Sequence, residues 1–267
     1  IDLILIFMTK KINIVIDASR NRSGGAIVYL KNFIKHLNIK NTKINKILIF
    51  SHKKILKQIP QRSFLIKCSH YLLESNIFFQ IIWQLIFLPI FLKKNKIDIL
   101  YSTDTSTFCK YSPSIVFNQD ILSFDKEALN LIPFSFEKIR LYIIKYIQIR
   151  SMNNANEVIF LSNSSREIIS KFLKIKTNHN IIHHGIEENL KNLSKRKNKD
   201  FSWNYYSKKK IKIVYVSPLF AYKNHSTVAK AYSRLKKKYK NLDIKFIGKY
   251  EHNLNLLNDI INKNPQY

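Results

Sequence analysis

The sequence predicts an α/β protein built on a doubly wound, mainly parallel sheet, followed by the start of a second sheet of the same kind. Three observations predict it. Short continuous apolar runs, the pattern of strands covered on both faces, alternate with longer segments whose apolar residues recur at helical spacing. All four glycines, Gly24, Gly25, Gly185 and Gly248, fall where such a run gives way to a loop. A lysine-rich stretch at 191–210 interrupts the alternation, which then resumes.

The elements follow in order. Ile12–Asp17 (INIVID) reads as the first strand, and Ser23-Gly24-Gly25 leads into a helix over Ala26–Leu37 with Ile27, Leu30, Ile34 and Leu37 on one face. Lys46–Ser51 and Phe64–Cys68 are the next strands. Ile77–Leu92 (IFFQIIWQLIFLPIFL) is the longest apolar run; it is too short for the roughly 20 residues of a membrane span and holds Gln80, Gln84 and Pro89, so the expectation is a buried helix ending near Pro89. Strands are expected at Ile97–Ser102 and Ser114–Asp120, a long amphipathic helix at Ser135–Met152, and a strand at Val158–Ser162. A helix capped by Ser164 follows it, and Ile181–His184 ends one more strand at Gly185. Residues 191–210 carry eight Lys or Arg against one acid, Asp200, as a solvated linker would. Beyond it come a strand at Ile211–Ser217, a helix at Ser226–Lys238, a strand at Asp243–Lys249 and a last helix from Asn253. The expected domains are therefore 8–190, the linker 191–210, and 211–267, the last too short to close a sheet of its own. Ile1 is not an initiator, and Met8 stands just before the first strand; both ends read as fragment boundaries.

Composition bounds the function. The chain has 267 residues, 46% of them hydrophobic, enough for one large core or two smaller ones. Four glycines and six prolines exclude collagen-like and Pro/Gly-rich disordered classes. Lys and Arg number 46 against 17 acids, a net charge of +29. The excess is mostly lysine and spread along the chain, unlike a nucleic-acid surface with Arg and aromatics interleaved in a patch. It still favours anionic membranes and phosphate-bearing ligands at long range. Cys68 and Cys109 stand far apart with no CxxC, the pattern of free thiols. His183-His184 has no second ligand cluster nearby and reads as a loop pair, not a metal site. Ser162 and Ser164 lie in no G-x-S-x-G elbow, so no serine nucleophile is read there.

Six segments carry a resemblance. Asp17–Leu30 (DASRNRSGGAIVYL) opens with a strand and a Gly-Gly loop before a helix. Ile82–Pro89 with Ile97–Tyr101 joins an aromatic–Gln–x–x–x–Leu–Pro helix to an acidic-aliphatic strand. Asn118–Phe124 (NQDILSF), Ser151–Ser165 (SMNNANEVIFLSNSS), Ile181–Ile186 (IIHHGI) and Val216–Ala231 (VSPLFAYKNHSTVAKA) follow in order. Together they resemble glycosyltransferases of the GT-B type, family 4. The resemblance implies two Rossmann-like domains: an acceptor-side domain over 8–190, and from 211 the start of a donor-side one.

It also implies a retaining transfer of a sugar from a nucleotide-sugar donor to a lipid-linked or saccharide hydroxyl acceptor, in surface polysaccharide or lipopolysaccharide assembly. No metal and no further cofactor are implied. By matching position, Gln119 and Asp120 fall at the reacting centre, while Gly24, Gly25, Ser162, His184, Gly185 and Lys223 fall against substrate and donor. Lys223 takes the place of the family's phosphate-binding lysine. The family's arginine near it is absent from Ser217-Pro218-Leu219, and its histidine before the acid is replaced by Gln119, which cannot relay a proton at neutral pH. The family's two donor-holding glutamates find no match before Tyr267, so the chain by itself is expected to be inactive. A non-catalytic truncated or split subunit is the first rival reading, and a basic nucleic-acid binder and a nucleotide-sugar epimerase are the others. The expected location is cytoplasmic, at the inner face of the membrane, held by charge and released by salt. Binding that resists salt would instead point to Ile77–Leu92 as an inserted segment.

Overall fold

The computed structural model describes residues 11–22, 24–174, 177–186 and 210–248. Ser23, the basic stretch 191–209 and the helix expected from Asn253 lie outside the described residues. The chain forms two compact units. One comprises the residues up to Asp125 together with Phe136–His184; the other comprises Lys126–Ser135 and the residues from Gly185 onward.

The first unit is a seven-stranded, wholly parallel sheet. Its strands are β1 (Ile12–Asp17), β2 (Ile44–Phe50), β3 (Leu65–Cys68), β4 (Ile99–Ser102), β5 (Ser114–Phe117), β6 (Glu157–Phe160) and β7 (Asn178–Ile181), in spatial order β3-β2-β1-β4-β5-β6-β7. Register is fixed from the centre: β1 pairs with β2 as Val15↔Leu48 and with β4 as Val15↔Leu100. Successive side chains of a strand point to opposite faces, and β1 shows the consequence. Ile16 packs in one core with Leu30 and Ile34 of α1 (Gly25–His36), and Val15 packs in another with Trp83, Leu88 and Leu92. A third core joins Val116 and Val158 to Met152 and to Ile169 of α8 (Asn163–Ser170). Helices thus cover both faces, as the expected doubly wound class requires. The short helices α2 (Lys53–Leu56) and α3 (Tyr71–Glu74) have no periodic signature in the sequence.

The long apolar run departs from expectation twice. It does not end at Pro89: α4 (Ile77–Ile82), a π turn (Trp83–Phe87) and α5 (Leu88–Lys94) run on continuously. The π turn explains the passage, because Leu88 N–H reaches back five residues to Trp83 O, and Pro89 then sits in the first turn of α5, where its missing N–H costs little. Nor is the run buried. Only 28% of Ile77–Lys94 is, and Ile77, Phe78, Phe79, Leu85, Ile86, Phe87 and Ile90 are exposed. The helix expected at Ser135–Met152 is α7 (Phe136–Asn154), but it is not amphipathic in the usual sense. It buries Gln148 and Ser151 beside Leu141 and Met152, while Phe136, Ile143 and Tyr146 face outward. Gln148 is accommodated by Ser123, whose hydroxyl donates to its Oε1 at 2.6 Å.

The second unit contains two parallel strands, β8 (Ile211–Val216) and β9 (Leu242–Ile247), joined through α9 (His225–Lys238). A 3₁₀ turn at Ala221–Lys223 leads into α9, and α6 (Lys126–Leu131) lies against that turn. Gly248 follows β9 directly. A Cβ there would overlap the Ser217 carbonyl oxygen and stand 2.6 Å from its carbon, so β9 leaves the sheet where only glycine fits.

Candidate functional site at the carboxyl ends of the strands

In an open parallel sheet the crevice for a ligand opens at the carboxyl ends of the strands, where the chain reverses its direction of winding. Here the reversal lies between β1 and β4. A group of the first unit's buried polar residues lies at this edge: Asp17 at the end of β1 with Ser19 and Asn21 after it, Ser102 at the end of β4 with Thr103 and Thr105 after it, and Asn118 after β5.

Asp17 is the centre of the cluster, although its sequence context marks it only as the end of a strand. Gln84 Nε2 donates to its Oδ2 at 2.8 Å and Ser19 N to its Oδ1 at 3.1 Å, while Thr103 N and Oγ1 both donate to its backbone carbonyl. Burial pushes its pKa above the usual carboxylate value. The hydrogen bonds from Ser19 and Gln84 work against that shift, and Asp104 adds to it. Gln84 also donates to Ser19 Oγ at 3.0 Å and accepts from Phe108 N at 3.3 Å, so one glutamine ties the end of β1 to the loop after β4. The signal is present in the sequence: Gln80 and Gln84 stand four apart inside an otherwise apolar helix, and a buried amide there needs partners. Gln80 has them on one side only: its Nε2 donates to Leu73 O and Ser75 O, while its buried Oε1 has no partner among the described residues.

Next to Asp17 stand Arg20 and Asn21. Burial draws the Arg20 pKa down, opposed by the charges of Asp104 and Asp17. Among the described residues, Arg20 Nη1 and Asn21 Nδ2 are buried donors without a hydrogen-bond partner. On the α1 side Tyr29 and Tyr101 share a hydroxyl–hydroxyl hydrogen bond of 2.6 Å, and burial raises both phenols, so the pair stays protonated.

The residues singled out from the sequence occupy distinct places. Gln119 follows β5 and donates from Nε2 to Thr103 O at 2.9 Å, which places it at the β1–β4–β5 edge. Asp120 is exposed, and its Oδ1 accepts from Leu122 N at 2.9 Å in a local turn. Gly24 has φ of 64° and is the N-cap of α1, whose first turn has neither a side-chain cap nor an acid; its carbonyl accepts from Ile27 N and Val28 N. Gly25 and Gly185 meet no neighbour that a Cβ would touch. His184 packs its ring against Tyr29 and Phe117, with centroids 5.3 and 5.9 Å away, and burial lowers its pKa. This contact brings the loop after β7 to the α1 side of the edge.

Ser162 is the N-cap of α8, in a reciprocal capping box with Ser165; the expected cap at Ser164 is corrected to Ser162, since the chain turns helical already at Asn163. The Ser162 hydroxyl is thereby occupied within the fold. In the second unit Lys223 is exposed, one residue before the N-cap Asn224 of α9, with Nζ 5.2 Å from the Tyr222 ring centroid and its carbonyl accepting from Tyr215 OH at 2.6 Å. Both thiols are free, and burial raises their pKa. Among the described residues no group of three His, Cys, Asp or Glu comes together.

Sheet order and helices on both faces define the class as a doubly wound, Rossmann-like α/β fold. No protein-family model and no curated protein sequence matches the chain. Solved structures do. Anabaena Alr3699/HepE in complex with UDP superposes with a TM-score of 0.57 at 15% identity, over 95% of this chain and 66% of that one. The same protein with UDP-glucose gives 0.54 at 15% identity, over 94% and 65%. The lipopolysaccharide outer core galactosyltransferase WaaB in its apo form gives 0.45 at 12%, over 95% and 71%. The chain thus spans just under two thirds of the HepE length, and at these identities the likeness is one of fold.

Proposed function

We propose that this chain supplies the acceptor side and the first elements of the donor side of a retaining glycosyltransferase, moving a sugar from a nucleotide-sugar donor to a hydroxyl acceptor in cell-surface polysaccharide or lipopolysaccharide assembly. The observation that carries the reading is the concentration of buried polar residues at the β1–β4–β5 carboxyl edge, on a fold whose solved neighbours include one bound to UDP and UDP-glucose. A sugar offers many hydroxyls and little charge, and an edge lined by Ser, Thr, Asn and Gln matches that chemistry. Gln119 fits the role of a group that orients the acceptor, and Asp120, next to it in the chain, is assigned to accept the proton of the attacking hydroxyl.

On the donor side, Lys223 offers a mobile cation immediately ahead of α9, whose first turn carries no acid. A diphosphate leaving group needs charge stabilisation of that kind, and a lysine with free helical N–H groups supplies it without a metal. The test is saturation-transfer NMR on the chain with a panel of nucleoside diphosphates and nucleotide sugars. Lys223→Ala should weaken the preferred nucleotide about tenfold or more, the loss of one charge-assisted contact. A nucleotide that binds the variant as tightly as the parent would remove Lys223 from the donor site.

A further inference from the structure

The face of the continuous helix Ile77–Lys94 that points away from the sheet is apolar where an ordinary surface helix is polar. Phe78 is 62% exposed, Ile86 51% and Ile90 59%, with Leu85 between them. No charged residue occurs from Ile77 to Leu92. The exposed apolar area is on the order of 600 Å², at or above the largest patch of an ordinary soluble monomer. Such a surface left in water is unfavourable, and something covers it.

We infer that this face rests in the interfacial region of an anionic lipid bilayer, with the helix lying in the membrane plane. Three observations lead there. Lys93 and Lys94 end the helix and Lys96 follows, all exposed, so cations flank the carboxyl end of the apolar face, while the acid ahead of its amino end, Glu74, is engaged by Lys53 N and Ser69 Oγ. The net charge of +29 draws the chain to anionic headgroups and opposes the pairing of two copies through the same face. The opposite side of the helix is committed to the protein: Trp83, Leu88 and Leu92 lie in the core beneath β1 and β4, and Gln84 holds Asp17 and Ser19. Eighteen residues of helix extend about 27 Å, close to the thickness of a bilayer core, yet spanning it would pull those side chains out of the domain. An in-plane helix keeps them and still buries Phe78, Leu85, Ile86 and Ile90 in lipid. The attachment is therefore partly apolar and resists salt, in contrast to attachment by charge alone. It stands independently of the reading of the strand edge as a sugar site.

The experiment is vesicle flotation of the 267-residue chain with phosphatidylglycerol-containing and with phosphatidylcholine-only vesicles, at low salt and at about 1 M salt, where the Debye length falls to about 3 Å. The parent chain should float with anionic vesicles under both conditions, with a smaller bound fraction at high salt. The triple variant Phe78→Ser, Ile86→Ser, Ile90→Ser should keep the parent's thermal melt, because its sites are exposed. It should float at low salt and lose about tenfold or more of the bound fraction at high salt. Complete release of the parent chain by salt would overturn the inference, as would salt-resistant flotation of the variant. Sedimentation showing a dimer that the triple variant dissolves, with flotation unchanged, would assign the face to a second copy and overturn it as well.

Discussion

Replacing Gln84 by leucine tests how the β1–β4 edge is held. The side chain has nearly the same volume, so packing changes little, but three hydrogen bonds disappear: to Asp17 Oδ2, to Ser19 Oγ and from Phe108 N. The bond to a carboxylate is worth about 1.5–3 kcal/mol and each neutral one about 1, while Phe108 N is left without its side-chain acceptor; the apolar replacement returns part of this. A net loss of about 3 kcal/mol is expected. The loss depends on pH, and its sign follows from Asp17. Burial raises the folded-state pKa of Asp17, so its unfavourable contribution is absent below the unfolded pKa and grows as pH rises toward the folded one. Gln84 opposes that rise. Without it the folded pKa climbs further, and the cost of the substitution is larger at about pH 8 than at about pH 4. Urea melts of parent and variant, followed by circular dichroism at both pH values, measure it. A cost under about 0.5 kcal/mol, or one equal at the two pH values, would refute the assignment of Gln84 as the support of Asp17.

Gly24→Ala forces a side chain into positive φ and should cost about 1–2 kcal/mol, whereas Gly25→Ala, in open space, should be neutral within about 0.5; equal effects in thermal melts would contradict the turn geometry. Gly248→Ala drives a Cβ into the Ser217 carbonyl and should destabilise the second unit by about 2 kcal/mol or more, read as faster hydrogen exchange in β8 and β9 with the first unit unchanged. Ser162→Ala removes the α8 capping box and should cost about 1 kcal/mol; a null effect would free Ser162 for another role.

Much of the fold is legible in the sequence because the strands are short uninterrupted apolar runs, and a run of that length suits a strand covered on both faces better than a surface helix. β1 and α1 fall within one or two residues of their expected limits, and so do β8 and α9. What the sequence conceals has physical reasons. Periodicity does not say which side of an all-apolar helix meets protein, so Ile77–Leu92 reads as buried when one face is open. Pro89 reads as a terminator because a π turn, which accommodates it, leaves no mark in composition. In α7 the buried positions include Gln148 and Ser151, reversing the usual rule of polar residues outside. At the site, motif positions place Gln119 near the strand edge, but the partnership of Asp17 with Gln84 joins residues 67 apart and is visible only in three dimensions. The same holds for His184, which reaches Tyr29 across the loop after β7.

The most direct test of the account is to incubate the protein, in the full-length form in which the cell makes it, with nucleotide sugars labelled in the sugar and with lipid-linked and free saccharide acceptors extracted from the producing cells. Products are then followed by mass spectrometry. The account predicts label joined to a hydroxyl of an acceptor through a bond of the same anomeric configuration as in the donor, with the nucleoside diphosphate released and the yield lowered about tenfold or more by Lys223→Ala. Label that remains on the nucleotide, whether unchanged or as an epimer of the starting sugar, would contradict it.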